Sequence, residues 1–169
     1  MEISSVVEIW KLLKWLPALI LRNVFTKERL ADLVIIDVQA RHEAVRANLG
    51  DIASYSICFQ VINMSPFDVE LDRAEMDFLC AGTSVSKQYI KKTIFKSGQV
   101  GSIYITGEIE TPKAKQIARH YKDNRSSVSL HCEFNCSLHN FTKVCSNLGG
   151  VNVHFINAEW RVSDLEWHN

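Results

Sequence analysis

Between Ser126 and His139 apolar side chains fall at every second position: Val128, Leu130, Cys132, Phe134, Cys136 and Leu138, with Ser129, His131, Glu133, Asn135 and Ser137 between them. Successive side chains of an extended chain leave on opposite faces, so this spacing predicts a strand buried on one face and wetted on the other. The same period-two signal recurs in shorter runs from Asp32 onward. Leu33 to Ala40 is the first. In Ser54 to Asn63, Tyr55, Ile57, Phe59 and Val61 alternate with Ser56, Cys58 and Gln60, and the turn residues Asn63-Met64-Ser65-Pro66 close the run.

A third run carries Phe67, Val69 and Leu71; a fourth, Ala74 to Cys80, is broken by Ala81-Gly82. Val85 to Phe95 predicts one strand, Ser97-Gly98-Gln99 a turn, and Val100 to Glu110 the next strand. Thr111-Pro112 reads as a cap with proline in the first turn, predicting a short helix from Lys113 to Tyr121. A last strand spans Gly150 to Arg161. Roughly seven or eight strands with one internal helix predict an all-β chain folded as an antiparallel two-sheet sandwich.

The N-terminal segment follows a different period. From Val6 to Phe25 the chain reads VVEIWKLLKWLPALILRNVF, nearly a bilayer span in length, yet Glu8, Lys11 and Lys14 interrupt it. On a helical wheel Glu8, Lys11, Lys14 and Arg22 gather on one side, and Val6, Ile9, Trp10, Leu13, Leu16 and Ile20 on the other; Trp15 interrupts the polar side. Such a helix suits a membrane interface, with its apolar face in the acyl boundary and its lysines among anionic headgroups. Crossing the bilayer would place three charges inside it, each costing about 2.5–3.5 kcal/mol near the centre. Packing of the apolar face on the protein itself is the third possibility, and Pro17 bends or splits the helix in every case.

Residues 1–27 are therefore read as an amphipathic membrane-associating helix and 28–169 as the sandwich. The expected membrane-binding residues are Trp10, Lys11, Leu13, Lys14, Trp15, Leu16 and Ile20, and the expected partner is either an anionic lipid surface or a protein that receives the helix. Arg22, Lys27 and Arg29 follow the segment, while Glu2 and the terminal amine precede it, which places the sandwich on the cytoplasmic side by the positive-inside tendency. No basic n-region or small-residue cleavage site marks a removable signal peptide. Four Asn-x-Ser/Thr sequons, at Asn63, Asn124, Asn135 and Asn140, point the other way, but so short a motif arises by chance.

Nineteen basic residues balance nineteen acidic ones, so no global field draws in nucleic acid. Five cysteines, an odd number without repeated spacing, argue against a disulfide framework and for a reducing compartment. Cys132 and Cys136 stand about 13 Å apart along a strand, too far to share a bond or a metal ion. His131-Cys132-Glu133 matches half of a zinc deaminase signature, but the Pro-Cys-x-x-Cys half is missing. No phosphate-cradling glycine loop or strained nucleophile elbow occurs, so no catalytic residue, metal or cofactor is expected. Lys87, Lys91, Lys92 and Lys96 read as solvated strand-edge charges, with headgroup contact as the alternative.

The text from Phe59 to Val85, FQVINMSPFDVELDRAEMDFLCAGTSV, resembles the late-embryogenesis-abundant type 2 family, or WHy domain. Asn63, Pro66, Phe67, Val69, Leu71 and Gly82 stand where that pattern places a strand ending in Asn, a turn to Pro-Phe, a second strand and a closing Gly. Lys96-Ser97-Gly98 and the strand after it resemble the family's second half. Here Met64-Ser65 separate Asn63 from Pro66, where the family has Asn-Pro. The resemblance implies a fibronectin III or Ig-like sandwich without catalytic residues, in proteins linked to stress protection and often tethered to membranes. The expected function is a non-catalytic, membrane-associated binding or protective module, lipid-contacting if the two sheets part; the alternative is a soluble interaction subunit whose N-terminal helix docks on a partner protein.

Overall fold

The computed structural model describes residues 17–39, 43–123, 125–148 and 151–161. Among them, ten strands fall into two open sheets packed face to face, a β-sandwich. The first sheet holds β1 (Val34–Val38), β2 (Val45–Asn48), β3 (Ser54–Asn63), β7 (Val100–Glu108) and β10 (Val153–Ile156). The second holds β4 (Val69–Cys80), β5 (Thr83–Tyr89), β6 (Thr93–Phe95), β8 (Ser127–Cys136) and β9 (Asn140–Leu148). Helices α1 (Ala18–Val24), α2 (Lys27–Leu33) and α3 (Thr111–His120) accompany them, with a 3-10 turn at Tyr121–Asp123.

Each sheet is built around one long strand. β3 pairs with β7 along one edge, from Ser54↔Glu108 to Ile62↔Val100, while β2 and β1 share its other edge in succession. β4 is flanked in the same way by β8 on one side and by β5 and β6 on the other. Between the sheets lie Ile57, Phe59 and Val61 of β3, Ile103 and Ile105 of β7, Met76 and Phe78 of β4, and Leu130, Cys132 and Phe134 of β8. These are the inward positions of the period-two runs. The Tyr55 ring reaches across to Phe78, with centroids 5.9 Å apart.

Several elements depart from the expected pattern. The runs Phe67 to Leu71 and Ala74 to Cys80 are not two strands: β4 is continuous, and a bulge between Leu71 and Arg73 inserts one residue that shifts the alternation from odd to even positions. Val85 to Phe95 divides into β5 and β6, both paired to β4. β2 and β9 lie in segments where the alternation predicts no strand. The expected final strand ends at Ile156, and residues 158–161 are helical. β10 runs parallel to β2, so the sandwich is not wholly antiparallel. The chain arrives at β10 from β9 in the other sheet, and no hairpin dictates its direction.

Two glycines decide how the rims close. On β7 the inward positions read Gly101, Ile103, Ile105, Gly107. A Cβ at Gly101 would stand 2.7 Å from the Phe95 ring, and one at Gly107 would stand 2.6 Å from the Tyr55 hydroxyl. Both positions are occupied by a neighbouring aromatic ring instead of a side chain of their own. At the β4–β5 turn, Ala81 and Gly82 both take positive φ, the two-residue hairpin geometry that matches strand twist.

Candidate functional site

Pro17 is extended, with ψ at 137°, and stands at the N-cap of α1. On α1 the residues that reach the core are Leu21 and, at its C-cap, Phe25, whose ring meets Phe67 edge-on at 5.3 Å and 87°. Thr26 caps α2, accepting from the Arg29 amide at 3.4 Å, and α2 buries Leu30 completely. The Arg29 guanidinium donates to the Val24 carbonyl at 2.8 Å, placing a positive charge on the C-terminal end of α1.

Held in this way, α1 keeps apolar side chains in water. Leu19 is 75% exposed, Ile20 46% and Val24 43%. Ile20 and Val24, four residues apart, share one ridge, and Leu19 lies opposite Leu21. Arg22, Lys27 and Arg29 are exposed nearby. A groove of about 480 Å³ runs between Ala18 and Leu21 on one side and Pro66, Phe67 and Leu138 on the other. Of the expected membrane-binding residues, Ile20 lies on this surface, while Trp10, Lys11, Leu13, Lys14, Trp15 and Leu16 lie outside the described residues. Leu19 and Val24 join it unforeseen; the signal that locates them is the proline that marks the start of α1. Among the described residues no helix is long and apolar enough to cross a membrane.

Behind α1, the residues that carry the family resemblance form a buried polar joint. Asn63 is fully buried at the end of β3. Its amide donates to the carbonyls of Phe67 (2.7 Å) and Phe95 (2.9 Å), and its Oδ1 accepts from the Ser65 amide at 3.0 Å. The Ser65 hydroxyl stands 2.7 Å from Asn63 Oδ1 and 2.9 Å from the Phe67 carbonyl. Ser97 donates its hydroxyl to the Ser65 carbonyl at 2.8 Å and its amide to Asp68 at 2.9 Å. The two halves of the motif, Asn63 to Phe67 and Lys96 to Gly98, thus meet in space. Burial leaves Asn63 no room for a glycan.

The chemistry-bearing residues are scattered. Cys80 and Cys132 are fully buried and burial pushes both thiols up to about 12, which keeps them neutral and unreactive. Cys136 accepts the His139 amide at 3.5 Å, and His139 Nε2 lies 3.3 Å from the Arg22 carbonyl. His131 faces outward opposite Glu75, and His154 lies 3.7 Å from Glu43. Among the described residues no three His, Cys, Asp or Glu side chains gather as metal ligands. Lys92 bridges Glu70 and Asp72 on the strand edge, at 3.3 and 3.2 Å, while Lys87, Lys91 and Lys96 are exposed.

No known family profile and no curated protein sequence matches this chain. Similar shapes occur among solved structures. One is a structural genomics target, SoR45, at 10% identity and a TM-score of 0.48, over 73% of this chain and 92% of that one. Another is a protein from Archaeoglobus fulgidus, at 7% identity and 0.40, over 70% and 97%. A third is the sporulation control protein of Bacillus subtilis, at 7% identity and 0.36, over 79% and 54%. At these values none of them lends this chain a function.

Proposed function

We propose that the chain is a non-catalytic, membrane-associated β-sandwich of the late-embryogenesis-abundant type 2 kind, with fibronectin III-like sheets, held at an anionic lipid surface by its N-terminal segment. The observation that carries this reading is the outward apolar surface of α1, where Leu19, Ile20 and Val24 stay in water although Leu21 and Phe25 already fix the helix to the domain. Burial of each such side chain is worth about 1.5–3 kcal/mol. An interface that receives Leu19 and Ile20 therefore gains a useful share of binding energy, and Trp10, Lys11, Leu13, Lys14, Trp15 and Leu16 supply the rest in this reading. Exposed Arg22, Lys27 and Arg29 add attraction to anionic headgroups and favour the cytoplasmic leaflet. Five free cysteines suit a reducing compartment.

Flotation with phosphatidylserine-containing vesicles tests it. Wild type is expected to float; Lys11→Glu with Lys14→Glu abolishes flotation, and Leu19→Asp with Ile20→Asp weakens it at least about tenfold. Wild-type protein that stays with the soluble fraction overturns the membrane reading and leaves the helix as a docking segment for a partner protein.

A further inference from the structure

β7 forms a rim of the first sheet: among the described strands it pairs with β3 and with no other. An open sheet edge normally carries a device that keeps it from pairing with another chain. The other rims of the sandwich have one. β1, β6 and β10 are short, at five, three and four residues, and β5 carries Lys87. β9 carries Lys143, slips in register against β8 and has α2 packed against it. β7 runs for nine residues with no proline, no basic residue and no register shift against β3.

The register decides which backbone groups of β7 remain over. The Asn63 amide donates to the Gln99 carbonyl at 3.0 Å, and the Ile109 amide to the Ala53 carbonyl at 2.8 Å, one bond at each end of the β3–β7 ladder. In an antiparallel pair alternate residues exchange both bonds with the same neighbour, so the odd-numbered residues of β7 are engaged with β3. Val100, Ser102, Tyr104, Thr106 and Glu108 therefore turn amide and carbonyl to the open rim. All five are exposed.

Followed from either end toward Tyr104, β7 gives the same order of residues: glycine (Gly101, Gly107), a small hydroxyl (Ser102, Thr106), then isoleucine (Ile103, Ile105). A two-fold axis through Tyr104 lays the strand antiparallel to a second copy of itself, with Gly101 opposite Gly107, Ser102 opposite Thr106 and Ile103 opposite Ile105. Every rim-facing residue then meets another rim-facing residue, and about ten backbone hydrogen bonds close. Isoleucines meet on the core side and hydroxyls on the solvent side. Moving the axis to Ile103 or to Ile105 would set a glycine against an isoleucine. We propose that β7 joins two copies of this chain edge to edge, making one continuous sheet across a two-fold dimer. The match of the strand to itself is what names a second copy as the occupant of this edge. The pairing makes no use of α1, so it is tested without vesicles and stands or falls apart from the membrane reading.

Sedimentation of the full chain is expected to show a concentration-dependent shift from 19.3 kDa to twice that mass. Ser102→Pro removes an amide that points to the rim and leaves every bond to β3 in place, so it should keep a strand-rich circular dichroism spectrum and raise the dissociation constant at least about tenfold. The register has its own test, which holds even if the proline variant fails to fold. On the axis the two copies of residue 104 stand about 5.5 Å apart between Cα atoms, within reach of a disulfide. The two copies of residue 102 are offset by about 13 Å along the ladder. With oxidised glutathione, Tyr104→Cys should therefore cross-link into dimers at least about ten times faster than Ser102→Cys, the native cysteines being common to both. Wild type that stays at 19.3 kDa at the highest attainable concentration overturns the dimer and leaves the edge to a foreign strand. A folded Ser102→Pro that dimerises like wild type, or equal cross-linking of the two cysteine variants, overturns the β7 pairing.

Discussion

Tyr55 and Asn63 stand on the same strand, on the same face of it, and both are buried, yet their polar atoms have opposite fates. Every hydrogen-bonding atom of the Asn63 side chain has a protein partner, drawn from the β3–β4 turn and from β6. The Tyr55 hydroxyl has none among the described residues. Burial alone therefore does not separate a residue whose polar atoms tie the fold together from one whose polar atom stands unused; the count of satisfied donors and acceptors does.

Removing Asn63 should have the largest effect. Asn63→Ala takes the side-chain partner from the Phe95 carbonyl and the Ser65 amide in a buried joint and leaves the Phe67 carbonyl to the Ser65 hydroxyl alone, and about 3 kcal/mol of stability is expected to be lost; a loss under about 1 kcal/mol in urea unfolding would break the contrast. Gly107→Ala comes next, at about 2 kcal/mol, because the new Cβ overlaps the Tyr55 ring and hydroxyl. In a Tyr55→Leu background the same change should be almost free, and a double-mutant cycle measures that coupling.

The buried thiols offer a third kind of residue, hidden and weak at hydrogen bonding. Cys80 and Cys132 titrate near 9 in an unfolded chain and at about 12 in the fold, so the stability they contribute is whole below pH 9 and is lost as pH rises toward 12. Tyr55, also raised, adds to the loss above its ordinary value of 10. Denaturant midpoints between pH 8 and 11 should fall, and fall less in Cys132→Ala relative to that variant's own value at pH 8. Tyr55→Phe at neutral pH should do least, within about 0.5 kcal/mol of wild type or slightly stabilising, since it deletes an unpaired buried hydroxyl. A loss above about 1.5 kcal/mol would mean that the hydroxyl is already well bonded in the free protein.

The strands that announce themselves in the sequence are those whose neighbours respect their alternation. β3 and β8 keep a strict period because each is paired along its length on both edges or nearly so. β9 hides because only Phe141 and Cys145 are buried and its register slips against β8 between Val128 and Leu130. β2 hides because four residues with two inward side chains, Val45 and Ala47, leave too short a pattern. The candidate sites were less legible for a related reason. Asn63 reads as a turn residue, but one of its partners is Phe95, 32 positions away. Tyr55 reads as an inward core residue, and its unpaired hydroxyl becomes visible only when Gly107 is seen across from it.

The extra residue in β4 has a consequence for how this chain tolerates change. Because the bulge between Leu71 and Arg73 resets which side of the ribbon each later residue takes, losing a single amino acid there would not leave a local scar. It would turn Arg73, Glu75 and Asp77 toward the oil and Met76, Phe78 and Cys80 toward the water, in the strand that every other member of its sheet except β9 pairs with directly. Substitutions at Asp72 meet solvent, whereas a deletion at the same place inverts half a strand.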